Sequence, residues 1–421
     1  MEWIERLRAQ TRDLHKTAHA LPFFEALWKR TLPLESFVGQ LRCLAVVHRA
    51  LEKFLASHAT EEPFCGLLAG HRPKLPLLLQ DLELFRYKGV KDILPAVDKA
   101  LDIADRILVL SKENRTVLVG YFYTLEGSTL GGRVMSAKIH ENFSLPEKRG
   151  TSFFTCYGDQ VQTKWNGFLE TLGRSIEDDE AAETVISAAG ELFRSLIGVY
   201  EELYPFEAHQ LGRHVVSLNP EAGRHPMPAD EAELQAALKA AERCWDAFPY
   251  FALRYGERGR RFAASDAAFL ATVCDLDMQA MVDQVYWLAD VLAARGIPTW
   301  LMETQLRFLH EELMNTRPEK QALYDRVLLA ADALRTRRRA AASRESIEAL
   351  AQELHTRYAV VDEPHWASIC LVLAAAAADE ASGIGGGLEA VLSWLRNYRS
   401  DLASRAEALK TFLKGRLRGA S

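Results

Sequence analysis

Four side chains near the N-terminus, Arg8, Arg12, His15 and His19, follow one another at steps of four, three and four residues. On a helix that spacing puts all four on one stripe. Trp3, Leu7, Leu14 and Ala18 form an apolar stripe beside them. An imidazole with guanidinium groups one and two turns before it suits an iron porphyrin, because a ring nitrogen ligates iron while the cations reach the propionate carboxylates. The same pattern also reads as a solvated basic face beside a core stripe.

A second candidate lies at Tyr123-Thr-Leu-Glu-Gly-Ser-Thr-Leu-Gly-Gly-Arg-Val-Met135, in a segment that is otherwise strongly helical. Gly127, Gly131 and Gly132 each cost ~1 kcal/mol against alanine in a helix interior. Glycine lets a helix bend and lets its main chain approach a flat ligand, leaving room for a small molecule on the iron. Close helix packing through small residues is the other reading.

The elements that must position these residues are helices. Apolar residues recur at helical spacing over 2–20, 34–57, 77–87, 92–111, 113–140, 150–174 and 178–203, with breaks at Pro33, Pro73, Pro76, Pro95 and Pro146. Helical periodicity resumes over 231–247, 264–295, 298–315, 318–340, 343–358, 365–380 and 387–417, with no visible internal duplication. The chain is therefore expected to be all-α. Pro205, Pro220, Pro226, Pro228, Gly212 and Gly223 interrupt it between the halves, which predicts a domain over 1–213, a linker over 214–229 and a second helical domain over 230–421.

At 421 residues the chain is long enough for two cores, and 48% hydrophobic with 26% charged residues is the balance of a globular protein. A net charge of -6 argues against a nucleic-acid partner. No two of the six cysteines have the C-x-x-C spacing of a zinc or dithiol site. Glu2, Glu5, Arg6 and Arg8 stand where a secretory signal needs an apolar core, and the apolar run Ile369–Ala378 is half the ~20 residues of a membrane span. A cytoplasmic protein without a membrane segment is the expectation, with that run as a buried core helix.

Leu7-Arg-Ala-Gln-Thr-Arg-Asp-Leu-His15 followed by Glu126-Gly-Ser-Thr-Leu-Gly-Gly132 resembles haem oxygenases, in particular the bacterial branch associated with phytochromes. Phe153-Phe-Thr-Cys-Tyr-Gly158, with Trp165 and Phe168 after it, is similar to the aromatic signature of that branch. The resemblance spans roughly 3–203. It implies a helical domain with His15 as the axial iron ligand, Gly127, Ser128, Gly131 and Gly132 on the distal side, and Arg8, Arg12 and Arg194 as propionate partners. Phe122 occupies the place of the family's propionate-contacting tyrosine, which leaves its neighbour Tyr123 as the weaker candidate for that contact.

The resemblance further implies that haem is both cofactor and substrate, cleaved with O2 and external electrons to biliverdin, carbon monoxide and iron. A ferredoxin, flavodoxin or flavin reductase would supply the electrons, since no G-x-G-x-x-G follows a strand here, and a bilin acceptor is a further expected partner. Two departures stand out. Ser128 replaces an aspartate that organises distal water in many members, and His19 replaces a glutamate four residues after the ligand. They keep open a haem or bilin binding protein that does not degrade its ligand. A di-iron oxidase on the same scaffold would need paired carboxylates and Glu-x-x-His motifs that the first domain lacks.

The second half offers no comparable constellation. Arg254–Phe262, leading to Asp266, reads as a solvated inter-helix loop. Arg335-Thr-Arg-Arg-Arg339 reads as a solvated helix face, and Ser382–Gly387 as a flexible turn. His310, His355 and His365 are axial-ligand candidates only if this half is a second haem or bilin module.

Overall fold

The computed structural model describes residues 2–86, 88–146, 149–338, 343–360, 362–403 and 405–418. The predicted helical periodicity is realised almost everywhere: among the described residues the only sheet is one pair of two-residue strands. The chain divides into two compact units, 1–224 and 225–421. No described helix is long and apolar enough to cross a membrane.

The first unit contains α1 (Glu2–His19), α2 (Pro22–Trp28), α3 (Leu34–Ser57), α4 (Phe64–Leu67), α5 (Leu75–Glu83), α6 (Leu94–Glu113), α7 (Arg115–Gly127), α8 (Gly132–Phe143), α9 (Val161–Ser175) and α10 (Asp179–Leu203). α1 buries Trp3, Ile4, Leu7 and Thr11 and leaves the Arg8–His15 stripe off the core. α10 packs against α7, α1 and α6. Its start is fixed by Asp178, whose carboxylate accepts from Ala181 N, one of the orphan donors of a helix N-terminus.

Gly120 on α7 lies so close to α10 that a Cβ there would stand 2.4 Å from Val185 O and 2.8 Å from Ala188 Cβ. Small residues on both helices permit that approach, and Thr124 Oγ1 reaches Ala189 O at 3.2 Å across it. α7 and α8 are joined by a 3-10 turn over Ser128–Gly131. The segment 113–140 is thus broken at the place where glycines accumulate. The segment 150–174 is helical only from Val161, because 151–157 form turns and Gly158–Gln160 a 3-10 turn.

The stretch expected to be a linker over 214–229 contains the division between units, and its first part packs on the first unit. β1 (Asp92–Ile93) pairs antiparallel with β2 (Leu211–Gly212), matching Asp92 with Gly212 and Ile93 with Leu211. Asp92 accepts from His214 N and from Arg42. Val215, Val216 and Asn219 are buried, and Arg224 forms ion pairs with Asp98, Asp102 and Asp105.

The second unit comprises α11 (Glu231–Ala247), α12 (Tyr250–Thr272), α13 (Met278–Ala294), α14 (Thr299–Thr316), α15 (Gln321–Arg337), α16 (Arg344–Arg357), α17 (Trp366–Ala381), α18 (Gly387–Tyr398), α19 (Ser400–Ala403) and α20 (Ala406–Arg418). α17 carries the apolar run Ile369–Ala378 through the core. Two expectations are corrected in this unit. Arg254–Phe262 is part of α12, kinked at Gly256 with φ 52°, rather than a loop. The basic run is not a solvated face, since Arg338 is wholly buried against Glu303 and Arg337 pairs with Asp290; Arg339 lies outside the described residues. His310 is engaged with Asp325.

Candidate functional site

α1, α3, the α7–α8 junction, the 151–157 segment and α10 enclose a cavity of ≈630 Å³ in the first unit. That volume lies within the ~300–1,000 Å³ of ligand and cofactor sites. The stripe on α1 contributes Arg8, Arg12, His15, Lys16 and His19 to one wall. Tyr123, Gly127, Ser128 and Gly131 contribute to another, and Phe153, Phe154, Trp165, Phe193 and Tyr200 supply aromatic surface. Trp28, Leu130 and Val134 also line it and are exposed, so apolar residues flank an opening to solvent.

Burial lowers the pKa of His15, and the neighbouring His19 lowers it further. A depressed pKa keeps the imidazole neutral around neutral pH, the form that ligates iron. Tyr123 is faced by Thr11 and Arg8: burial raises its pKa, while the Thr11 hydrogen bond and the Arg8 charge pull it back. Arg8 pairs with Glu5 and Lys16 with Asp13 on the exposed side of α1. These groups put cations along one wall of a largely apolar cavity, a donor set that suits an amphiphilic dicarboxylate such as a porphyrin.

The three glycines differ in what they do. A Cβ on Gly131, which is exposed and lines the cavity, would meet nothing within 4 Å, so a side chain there has room. On Gly127 it would press on the Trp165 ring at 3.1 Å. On Gly132 it would stand 1.9 Å from Phe154 O, and Gly132 does not line the cavity. Gly132 is therefore a packing glycine, through which α8 lies against the backbone of the aromatic segment. Ser128 lines the cavity, but its hydroxyl donates to Leu125 O at 2.7 Å, leaving lone pairs for a donor in the cavity.

Arg194 does not join this site. It lines a separate ≈470 Å³ cleft with Lys99, Asp102, Arg106 and Tyr121. Its neighbours Phe193, Leu196 and Ile197 face the His15 cavity, and a step of one residue turns a helical side chain by about 100°. Tyr121 points to the same cleft, where it donates to Glu191. Phe122 turns away from the His15 cavity into the core against His71 and Phe168. Gln40 and Tyr200, which line the His15 cavity and bond each other at 2.9 Å, have no motif that marks them in the sequence. Among the described residues no group of three or more His, Cys, Asp or Glu side chains is arranged to hold a metal ion.

Comparison with known proteins finds relatives of the first unit. The haem oxygenase family profile matches residues 1–202. "Heme oxygenase 1" of Gallus gallus is 25% identical over 244 residues, covering 56% of this chain and 79% of that protein. "Heme oxygenase 2" of Synechocystis sp. is 22% identical, covering 51% and 88%. Among solved structures, heme oxygenase-1 from Synechocystis sp. in complex with heme has a TM-score of 0.44 at 20% identity, covering 48% of this chain and 93% of that one. The profile stops at residue 202 and leaves the C-terminal half unrecognised. Residues 1–202, which carry the cavity lined by His15 and the Gly127–Gly131 turn, are the part of the chain that matches the haem oxygenase family model.

Proposed function

We propose that the first unit is a haem oxygenase that cleaves haem to biliverdin, carbon monoxide and iron, using O2 and external electrons. One observation carries the reading: an imidazole and a glycine turn, recognised separately in the sequence, line one cavity large enough for a cofactor. Bound haem supplies the iron that activates oxygen and the ring that is oxidised. His15, held neutral by burial, would hold the iron through an imidazole nitrogen. Arg8, Arg12 and Tyr123 orient the propionates, and Lys16 adds a cation beside them. Gly127 and Gly131 would offer main chain rather than side chains to the bound group, while the aromatic walls would exclude water. Ser128 Oγ, its proton committed to Leu125 O, would accept a hydrogen bond from water in the cavity and so help hold a proton there.

A ferredoxin, flavodoxin or flavin reductase supplies electrons at the open edge near Trp28, Leu130 and Val134, and a bilin acceptor takes the product. A cytoplasmic location belongs to the same reading. The Glu126–Gly132 run and the aromatic segment support placement in the phytochrome-associated branch. The second reading, a haem or bilin binder without turnover, is favoured by Ser128, whose hydroxyl carries no charge and is turned back on its own helix.

Haemin titration followed by a reductant under oxygen separates the two. Loss of the Soret band with growth of a biliverdin band supports degradation. A haem spectrum that survives reductant and oxygen supports the binder, and no Soret shift on adding haemin removes both.

A further inference from the structure

Behind the cavity wall that faces His15 lies a buried polar cluster drawn from three separate segments. Lys74 is wholly buried, and its Nζ donates to Glu126 Oε2 at 2.9 Å, Tyr157 OH at 2.9 Å and Arg72 O at 2.8 Å. His71 Nδ1 stands 3.2 Å from Glu126 Oε2. Tyr157 OH donates to the other Glu126 oxygen. Glu52 on α3 anchors the loop itself by accepting from Lys74 N and Leu75 N.

The placement of these residues matters more than their number. Glu126 is the residue immediately before Gly127, on the last turn of α7, and its own carbonyl accepts from Thr129 Oγ1 inside the following turn. Tyr157 closes the segment whose Phe153 and Phe154 line the cavity. Arg72 adds a second tie to that segment through Cys156 O at 2.8 Å. Gly127 and Gly131 give the turn more backbone freedom than other residues would. Stability alone is a poor reason for such a cluster, because replacing a buried ion pair by apolar groups is often neutral or favourable. The residue at the hinge is nonetheless held by a cation that no water reaches.

The geometry points to Lys74, Glu126, Tyr157 and His71 as a positioning device that fixes the Gly127–Gly131 turn and the Phe153–Phe154 segment to each other. It thereby sets the spacing above haem in the cavity. The inference rests on the haem reading of the cavity only for that last step; the mechanical coupling stands without it.

Three full-length variants test it: Tyr157→Phe, Glu126→Gln, and the double variant Glu126→Gln with Lys74→Met, which leaves no unpaired buried charge. Amide exchange is followed in the free protein. The C–O stretching band of added carbon monoxide is followed in the reduced haem-loaded protein. Tyr157→Phe keeps both charges paired and covers the case in which Glu126→Gln does not fold. In each folded variant, residues 127–131 and 153–157 exchange roughly tenfold faster than in wild type, a local loosening equivalent to one lost hydrogen bond. The wild-type stretching band is single and narrow, and it broadens or splits in the variants. The double variant regains the wild-type melting temperature but neither of these signatures. A double variant with wild-type exchange and a wild-type band overturns the device and leaves a stability element only. Failure of wild-type protein to bind haemin defeats the haem reading, while the exchange data still decide the coupling.

Discussion

The imidazole rings of His15 and His19 lie 4.4 Å apart, centroid to centroid, and are tilted by 39°. His19 also stacks on Phe24 at 5.7 Å. His19, where the resemblance implies a glutamate in many family members, is braced by that aromatic ring. On the proposed haem reading, His15 is the ligand and His19 its neighbour. His15→Ala is expected to lose the normal ferric haem spectrum and to regain part of it with added imidazole, whereas His19→Ala keeps axial ligation. A wild-type spectrum in His15→Ala would promote His19 to ligand. Because burial and His19 depress the His15 pKa, the ligating form persists on acidification to below the ordinary imidazole range. Haem affinity, read from the Soret band across pH, should fall only there.

Gly131 and Gly132 should respond in opposite ways. Gly131 has helical φ/ψ (φ -82°, ψ -4°) and open space at its Cβ position. Gly131→Leu fills the cavity, so haem affinity should drop by tenfold or more, roughly the ~1–3 kcal/mol of a steric insertion, while the melting temperature hardly moves. Gly132→Ala drives a methyl into Phe154 O and should cost ~1–3 kcal/mol of stability, seen as a lower denaturation midpoint. Equal effects on affinity and stability in both variants would contradict the distinction.

Part of the site was legible because one kind of regularity carried it. The stripe Arg8–Arg12–His15 follows from helical period alone, and the glycines around Gly127 stand out against a helical background. Arg194 was misplaced because period identifies a helix without saying which face meets a ligand 100° away. Gly132 could not be told from Gly131, since cavity and packing ask for the same residue. Glu126 and Tyr157 stand in the two segments that carry the resemblance, but nothing in the sequence marks their meeting with Lys74 and His71, because it depends on tertiary contacts between distant segments. The aromatic segment 150–160 read as helix because its apolar spacing fits one, yet Asp81 takes the Ser152 and Phe153 amides at 2.8 Å and holds them in turns.

The boundary of the first unit can be tested by truncation. A fragment ending at Arg224 retains buried Val215, Val216 and Asn219 and should melt cooperatively and bind haemin. One ending at Arg213 loses two buried valines, each worth about 1.5–3 kcal/mol, and should have a lower denaturation midpoint with the same site residues intact. Equal midpoints for the two fragments would show that 214–224 contributes nothing to the unit.

Acid should probe Glu126. Burial alone would raise its pKa, but the His71 hydrogen bond and the Lys74 charge outweigh that and bring it to about 2. A carboxylate depressed on folding stabilises the fold above its unfolded pKa and loses that contribution as pH falls toward the folded value. Stability should therefore decline between about pH 4.5 and 2, by on the order of 3 kcal/mol from this group. In Glu126→Gln the decline over that window should be shallower, as measured by urea denaturation across pH. An identical slope in both proteins would place the acid lability elsewhere.

The proposed haem cleavage is tested most directly by the products formed when full-length protein loaded with haemin is reduced under oxygen. Biliverdin and carbon monoxide, equimolar with the haem consumed in wild type and absent in His15→Ala, are the predicted result. Haem that persists, or bleaches without biliverdin and carbon monoxide, would contradict it.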